Sequence, residues 1–221
     1  MTDFKLRGFA LAALLLASCG QGKADMAGAA TVDTNVQQQL TPRPRNAQTA
    51  LFAGGCFWSA ERDVERIPGV VDAVSGFAGG SVPNPTYRQV SRGGTGHLEA
   101  VQVTYDPARI SYAGLVRRFL RTIDPTDSGG QYCDRGDDYR TAIFALDADQ
   151  RREATAAVAE ANRILGGRVM TPVREAAPFY AAEGWHQDFA RRNPALYARY
   201  RAGCGKDERL REIWGSQADT H

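Results

Sequence analysis

The chain has 221 residues, with 27 Lys plus Arg against 25 Asp plus Glu, three histidines and a formal net charge of +2. That length suits one domain with appendages or at most two small domains, and 43% hydrophobic with 9% aromatic residues can build a real core, which excludes wholesale disorder and collagen-like or coiled-coil chains. The near-neutral balance offers no electrostatic footprint for nucleic acid, and four cysteines without a CxxC spacing exclude a disulfide-stapled mini-fold and argue against a structural zinc site.

Residues 1–18 carry Lys5 and Arg7 and then an apolar run from Phe9 to Ala17. The run is too short to span a bilayer but suits the hydrophobic part of a signal peptide. It ends in Leu16-Ala17-Ser18-Cys19, which resembles a bacterial lipobox. Cys19 is then expected to carry lipid as the first mature residue, and Gly20 after it favours the outer membrane, with the protein in the periplasm of the cell envelope. Residues 19–48 lack aromatics and are rich in Gly, Ala, Gln, Thr and Pro, so they read as a flexible tether. The remaining segment, 49–221, is the folded domain with its C-terminal tail.

In that domain Ala50–Ala53 reads as a short strand closed by Gly54-Gly55. A helix starts near Cys56 and stops before Pro68-Gly69. Val70–Phe77 reads as a second strand, and 81–85 as a loop. Glu99–Tyr105 alternates as a strand should. Ser111 caps a helix with apolar residues at 112, 115, 116, 119, 120 and 123. Thr141–Leu146 is a further strand, and Asp147 with Gln150 resembles a capping box that opens a helix to Gly166-Gly167. An edge strand is expected over 173–176 and a helical stretch around 185–189. Two successive β-α-β units of this length fit an α+β two-layer sandwich with a ferredoxin-like, split-βαβ core, followed by a long C-terminal coil.

Four features carry possible chemistry. Gly54-Gly55-Cys56-Phe57-Trp58 puts a thiol at a helix N-terminus, where free N–H groups would favour its thiolate. A small buried cysteine beside core aromatics would have the same local sequence. Glu99 shares its strand face with Val101, Val103 and Tyr105, so its carboxyl lies at the end of an apolar face and should hold a proton near neutral pH. A Glu twisted out to water is the plainer alternative, and His97 points the other way, toward a loop. The segment from Tyr132 to Arg140 is rich in charge, Gly and Tyr, as polar recognition requires and as an ordinary solvated loop would also be. Cys204 sits between Gly203 and Gly205 in the tail, mobile enough to reach another thiol or simply a surface thiol.

Taken together, GCFWSAE at 55–61, GFAGG and NPTY within 76–87, GHLEAV at 96–101, DRGDDYRTAIF at 134–144 and WHQDF at 185–189 resemble the A-type peptide methionine sulfoxide reductases. The resemblance spans about residues 50–205 and implies reduction of the S epimer of methionine sulfoxide, free or in oxidised proteins. It places Cys56 on the nucleophile, Glu99 on the proton donor, and Tyr87 and Tyr139 on tyrosines that hydrogen-bond the sulfoxide oxygen. Asp134 falls on a supporting aspartate, and Phe57 with Trp58 on the pocket for the substrate methyl. No metal or organic cofactor is implied. The expected partners are the oxidised substrates and a thioredoxin-like dithiol, and the expected state is a monomer. Cys133 stands where many members have Asn, and Lys206-Asp207-Glu208-Arg209-Leu210 replaces a glycine-rich tail with a second cysteine. The resemblance also places a recycling cysteine in the tail, and with glycines on both sides letting it swing, Cys204 is expected to form the first disulfide with Cys56, with Cys133 as the alternative or a relay. The rival readings are a cysteine hydrolase, with His97 or His186 as base, and a non-catalytic lipid-anchored binding module.

Overall fold

The computed structural model of the protein describes residues 44–220. The expected signal peptide, Cys19 and most of the tether lie outside the described residues. The first element, β1 (Gln48–Gly54), runs through the middle of the sheet, and its inner residues are fully buried. It leads through the tight Gly54-Gly55 turn into α1 (Phe57–Glu65), which ends before Pro68, and β2 (Val70–Ala78) follows. Thr86 caps the short α2 (Tyr87–Val90) in a complete capping box with Gln89. Next come β3 (Leu98–Tyr105) and α3 (Tyr112–Leu120), whose cap Ser111 accepts from the Gly114 N–H at 3.2 Å.

The expected 132–140 loop starts inside a small hairpin, β4 (Gly130–Gln131) and β5 (Asp134–Arg135), turning on Tyr132-Cys133. Tyr132 adopts a left-handed conformation, φ 54°. β6 (Thr141–Ala145) and α4 (Ala148–Ile164) follow. Asp147 accepts from the Gln150 N–H at 2.8 Å, while the Gln150 carbonyl reaches back to the Leu146 N–H, one residue beyond the usual box.

The sheet order is β7-β6-β1-β3-β2-β8, where β7 is Val173–Glu175 and β8 is Phe179–Ala181. Its four central strands pair antiparallel in the order fourth-first-third-second of the two β-α-β units. That is the expected split-βαβ core, with β7 added parallel to β6 and β8 antiparallel to β2. The helices cover one sheet face. The main core lies there, with Phe52 and Phe119 stacked at 4.4 Å, while a smaller cluster around Leu51 and Phe144 covers the other face.

Two expectations need correction. The stretch around 185–189 is a series of turns, because Asp188 is left-handed at φ 54° and the helix α5 (Phe189–Arg192) starts only after it. The tail is no coil: it folds as α6 (Pro194–Gly203) and α7 (Lys206–Trp214), joined by a turn at Cys204 with Gly205 left-handed at φ 63°. Leu210 and Trp214 are buried in the main core, so apolar burial offsets the cost of ordering these residues.

Candidate active site

Gly55 and Cys56 form the corner between β1 and α1. Gly55 has φ 81°, and a Cβ there would lie 2.5 Å from Gln131 Cβ, so only glycine fits. Gln131 is fixed in turn, since its amide accepts from the Asp124 N–H and donates to the Asp124 carbonyl, both at 2.8 Å. Cys56 is the N-cap of α1, and its thiol is free.

Glu99 occupies the helix-side face of β3, as the alternation predicts, and is 2% exposed. Its Oε2 accepts from the Phe57 N–H at 2.8 Å. The first free amide of α1 thus serves the carboxyl. Burial raises the Glu99 pKa well above the usual carboxylate range, against the pull of that N–H, and Asp138 and Asp134 add to the rise. The Cys56 thiol is also pushed up, first by burial and then by the Glu99 charge, with a hydrogen bond from Tyr200 working against both. Burial is thus the main force against the expected helix-favoured thiolate, and a charged Glu99 adds to it. Protonating Glu99 removes the largest opposing charge, so the two groups share one proton problem: a neutral acid favours the thiolate beside it.

The two expected tyrosines meet at this point. Tyr87 opens α2, its N–H held by the Glu183 carboxylate at 3.0 Å. Tyr139 ends the short helical turn 137–139, and its phenol lies close enough to that of Tyr87 to pull the Tyr87 pKa down. Burial and then the Glu99 charge raise both pKa values, so both stay protonated donors. Asp134, on β5, accepts from the Tyr200 hydroxyl. Phe57 is fully buried, with its ring against Phe77, Tyr87 and His186, while half-buried Trp58 stacks on Phe189 at 3.6 Å.

The two histidines offered as hydrolase bases, His97 and His186, are committed elsewhere. His97 accepts from the Gly80 N–H at 3.2 Å, and its Nε2 meets the Val82 carbonyl at 2.7 Å, so it fastens the 80–82 loop as expected. His186 accepts from the Trp58 indole N–H at 3.0 Å, and burial lowers its pKa to about 4. Neither is arranged as the base of a hydrolase.

Tyr200 is the residue that sequence reading missed. Its hydroxyl donates to Asp134 beside Cys56, whose pKa it lowers, and its only sequence signal is the Tyr197–Tyr200–Arg201 cluster one turn before Cys204. Cys133 and Cys204 form a disulfide with their Cα atoms 5.0 Å apart, the first exposed at the hairpin tip and the second half-buried. This pair leaves Cys56 outside the disulfide.

A free thiol, a protonatable buried carboxyl, paired phenol donors and a neighbouring disulfide define a cysteine-based oxidoreductase. Residues 48–218 match the family described as peptide methionine sulfoxide reductase. The chain is 48% identical over 168 residues to peptide methionine sulfoxide reductase MsrA 2 of Caulobacter vibrioides, covering 76% of this chain and 86% of the relative. It is 49% identical over 179 residues to the Rhizobium meliloti MsrA 2, covering 81% and 89%. Among solved structures, methionine sulfoxide reductase A of Corynebacterium diphtheriae superposes with TM-score 0.64 at 35% identity, over 68% of this chain and 77% of that one. The chain belongs to the peptide methionine sulfoxide reductase family, and its activity is reduction of methionine sulfoxide.

Proposed function

We propose that Cys56 reduces the S epimer of methionine sulfoxide, free or in protein, with Glu99 as proton donor and Tyr87 and Tyr139 as the oxygen-binding pair. The observation that carries this reading is the buried Glu99 carboxyl beside the Cys56 corner, sharing its first helical amide. The Cys56 thiolate attacks the sulfoxide sulfur. Charge grows on oxygen, where the phenols donate hydrogen bonds and Glu99 gives its proton. Methionine leaves and Cys56 becomes a sulfenic acid.

Recycling then runs outward through two thiols. The Tyr200 hydroxyl, which donates to Asp134, sits close enough to Cys56 to lower its pKa, and Cys204 lies one helical turn further along the same helix. Cys204 condenses with the sulfenic acid, and Cys133 takes Cys204 over, which yields the disulfide seen here. Exposed Cys133 is then the sulfur open to a thioredoxin-like dithiol.

Tyr139, Asp134, Phe57 and Trp58 keep the roles that the family motifs suggest. The mature chain is a monomeric lipoprotein of the bacterial envelope, held by Cys19 on the outer membrane. The lipobox supports this reading, and acyl mass on the mature N-terminus tests it, with an unacylated soluble product refuting it.

The central experiment is a thiol-dependent assay on each sulfoxide epimer separately. Turnover of the S epimer by wild type and none by Cys56→Ser is expected. Equal turnover of both epimers, or activity in that variant, refutes the assignment.

A further inference from the structure

The turn that carries Cys204 is fastened on both sides to the helix that carries Cys56. Arg201 on α6 donates to both carboxylate oxygens of Asp63 at 3.0 Å, and Lys206, the first residue of α7, pairs with Asp63 Oδ2 at 2.8 Å. Asp63 lies on α1 and is fully buried. Arg201 also donates to the Tyr197 hydroxyl at 3.1 Å and to Asp207 at 2.9 Å.

Lys206 is 2% exposed, and a buried ammonium is costly unless something answers its charge. Arg201 alone already engages both Asp63 oxygens. Asp207, the cluster's other acid, is 35% exposed and screened by solvent. Arg62, its side chain 22% exposed, pairs with the same carboxylate at 3.1 Å, so three cations meet the one buried Asp63.

The surplus charge sits among the three thiols. Lys206 is two residues from Cys204, and its Nζ lies 5.2 Å from the ring centre of Tyr132, which precedes Cys133. It is also within electrostatic reach of Cys56 and Asp134. Apart from the Asp63 ion pair, its Nζ finds no hydrogen-bond acceptor among the described residues.

We propose that Lys206 is the counter-charge for thiol exchange among Cys56, Cys204 and Cys133, its buried ammonium stabilising the thiolate that attacks or leaves at each step. The proposal rests on the relay described above. In the first step the Cys204 thiolate attacks the sulfenic sulfur of Cys56. An S–S bond forms, the S–O bond breaks, and the oxygen takes up a proton and leaves as water. In the second step the Cys133 thiolate attacks Cys204, the bond to Cys56 breaks, and Cys56 departs as a thiolate. Neither step needs an outside oxidant or reductant. Both place negative charge beside Lys206.

The test uses fully reduced full-length protein and one equivalent of methionine sulfoxide. Samples quenched over time are analysed for methionine, for dimedone-trapped Cys56 sulfenic acid and for each disulfide by mass spectrometry. Lys206→Met is expected to slow sulfenic acid decay, relative to methionine formation, by about tenfold. Lys206→Arg should recover most of that loss. The double variant Asp63→Asn/Lys206→Met, which removes the ammonium and its acid but leaves Arg201 and Arg62 in place, should stay slow, because those guanidinium groups are held on α1 and α6 and not beside Cys133. If the double variant resolves as fast as wild type, Lys206 is merely a partner for Asp63 and the proposal falls. Should Lys206→Met fail to fold, the double variant measured against Asp63→Asn makes the same comparison. A wild-type protein whose sulfenic acid persists, or whose Cys133–Cys204 pair forms with no Cys56–Cys204 precursor, overturns the relay and this proposal with it. Failure of the relay is read in wild type alone, so it is distinct from failure at Lys206.

Discussion

The backbone N–H of Phe57 donates to Glu99 at 2.8 Å, so the positive end of the nucleophile's helix is spent on the neighbouring acid. Glu99→Gln keeps an acceptor for that N–H and should fold. It cannot supply the same proton, so methionine formation in a single turnover should fall by about 10²-fold or more. The wild-type step should slow as pH rises through the elevated Glu99 pKa, because the proton is lost, and this limb should vanish in the variant. Stability carries the same sign. A carboxyl raised in the folded state stabilises it below the ordinary value of 4.5 and loses that contribution as pH climbs. The variant should therefore gain on wild type in denaturant titrations as pH increases. Equal single-turnover rates would remove Glu99 from the chemistry.

Gly55→Ala tests the corner itself. The added Cβ meets Gln131 Cβ at 2.5 Å, and φ 81° is strained for any side chain. Gln131 is held by two hydrogen bonds to Asp124 and cannot simply swing away. The loss should be about 1–3 kcal/mol of stability in equilibrium unfolding, with a larger fall in activity than dilution of folded protein explains, because Cys56 moves with the corner.

Tyr200→Phe should change the reactivity of Cys56 without opening the core. The Tyr200 hydroxyl is the leading influence that lowers the thiol pKa, against burial and the Glu99 charge. The phenol has one proton, donated to Asp134 while Cys56 is a thiol and turned to the sulfur when the thiolate forms. Removing it should shift the pH profile of Cys56 alkylation upward by about one pH unit, the worth of one hydrogen bond to a charged group. Asp134 loses a donor in the same variant, so its carboxyl should rise as well. An unchanged alkylation profile would make Tyr200 a packing residue.

The four central strands were legible because their signals are local, whereas the 130–135 hairpin and the edge strand β8 left no such signal. In β3 alternation put Glu99 on the face of Val101 and Val103, where the acid is found. Caps at Ser111 and Asp147 were equally local. The tail was not legible, since glycines around Cys204 and the charged run after it read as solvated coil. The missed signal was Lys206, Leu210 and Trp214, three buried residues at four-residue spacing on α7. Nor does one sequence reveal that Lys206 and Arg201 both close on Asp63, because that pairing joins segments far apart in the chain. The clamp also revises the picture of Cys204 as a swinging thiol: its turn is held at both ends.

That revision sharpens the order of thiol exchange. Cys204 lies one turn beyond Tyr200, whose hydroxyl lies beside Cys56 and lowers its pKa, while Cys133 sits exposed on a hairpin tip with Cys204 as its partner. Cys204 is thus the thiol between the buried nucleophile and the surface. Starting from reduced protein and one equivalent of methionine sulfoxide, Cys133→Ser should lose both of its domain thiols as a Cys56–Cys204 disulfide. Such a bond needs the two Cα atoms within about 4.4–6.8 Å, which a small shift of the Cys204 turn must provide. Cys204→Ser should lose only one thiol and accumulate a Cys56 sulfenic acid that dimedone traps. Both variants should form a full equivalent of methionine once and then stall with a thioredoxin-type reductant, the second because nothing resolves it and the first because its disulfide is half-buried. Loss of two thiols in Cys204→Ser with only one in Cys133→Ser would reverse the order and make Cys133 the first partner of Cys56.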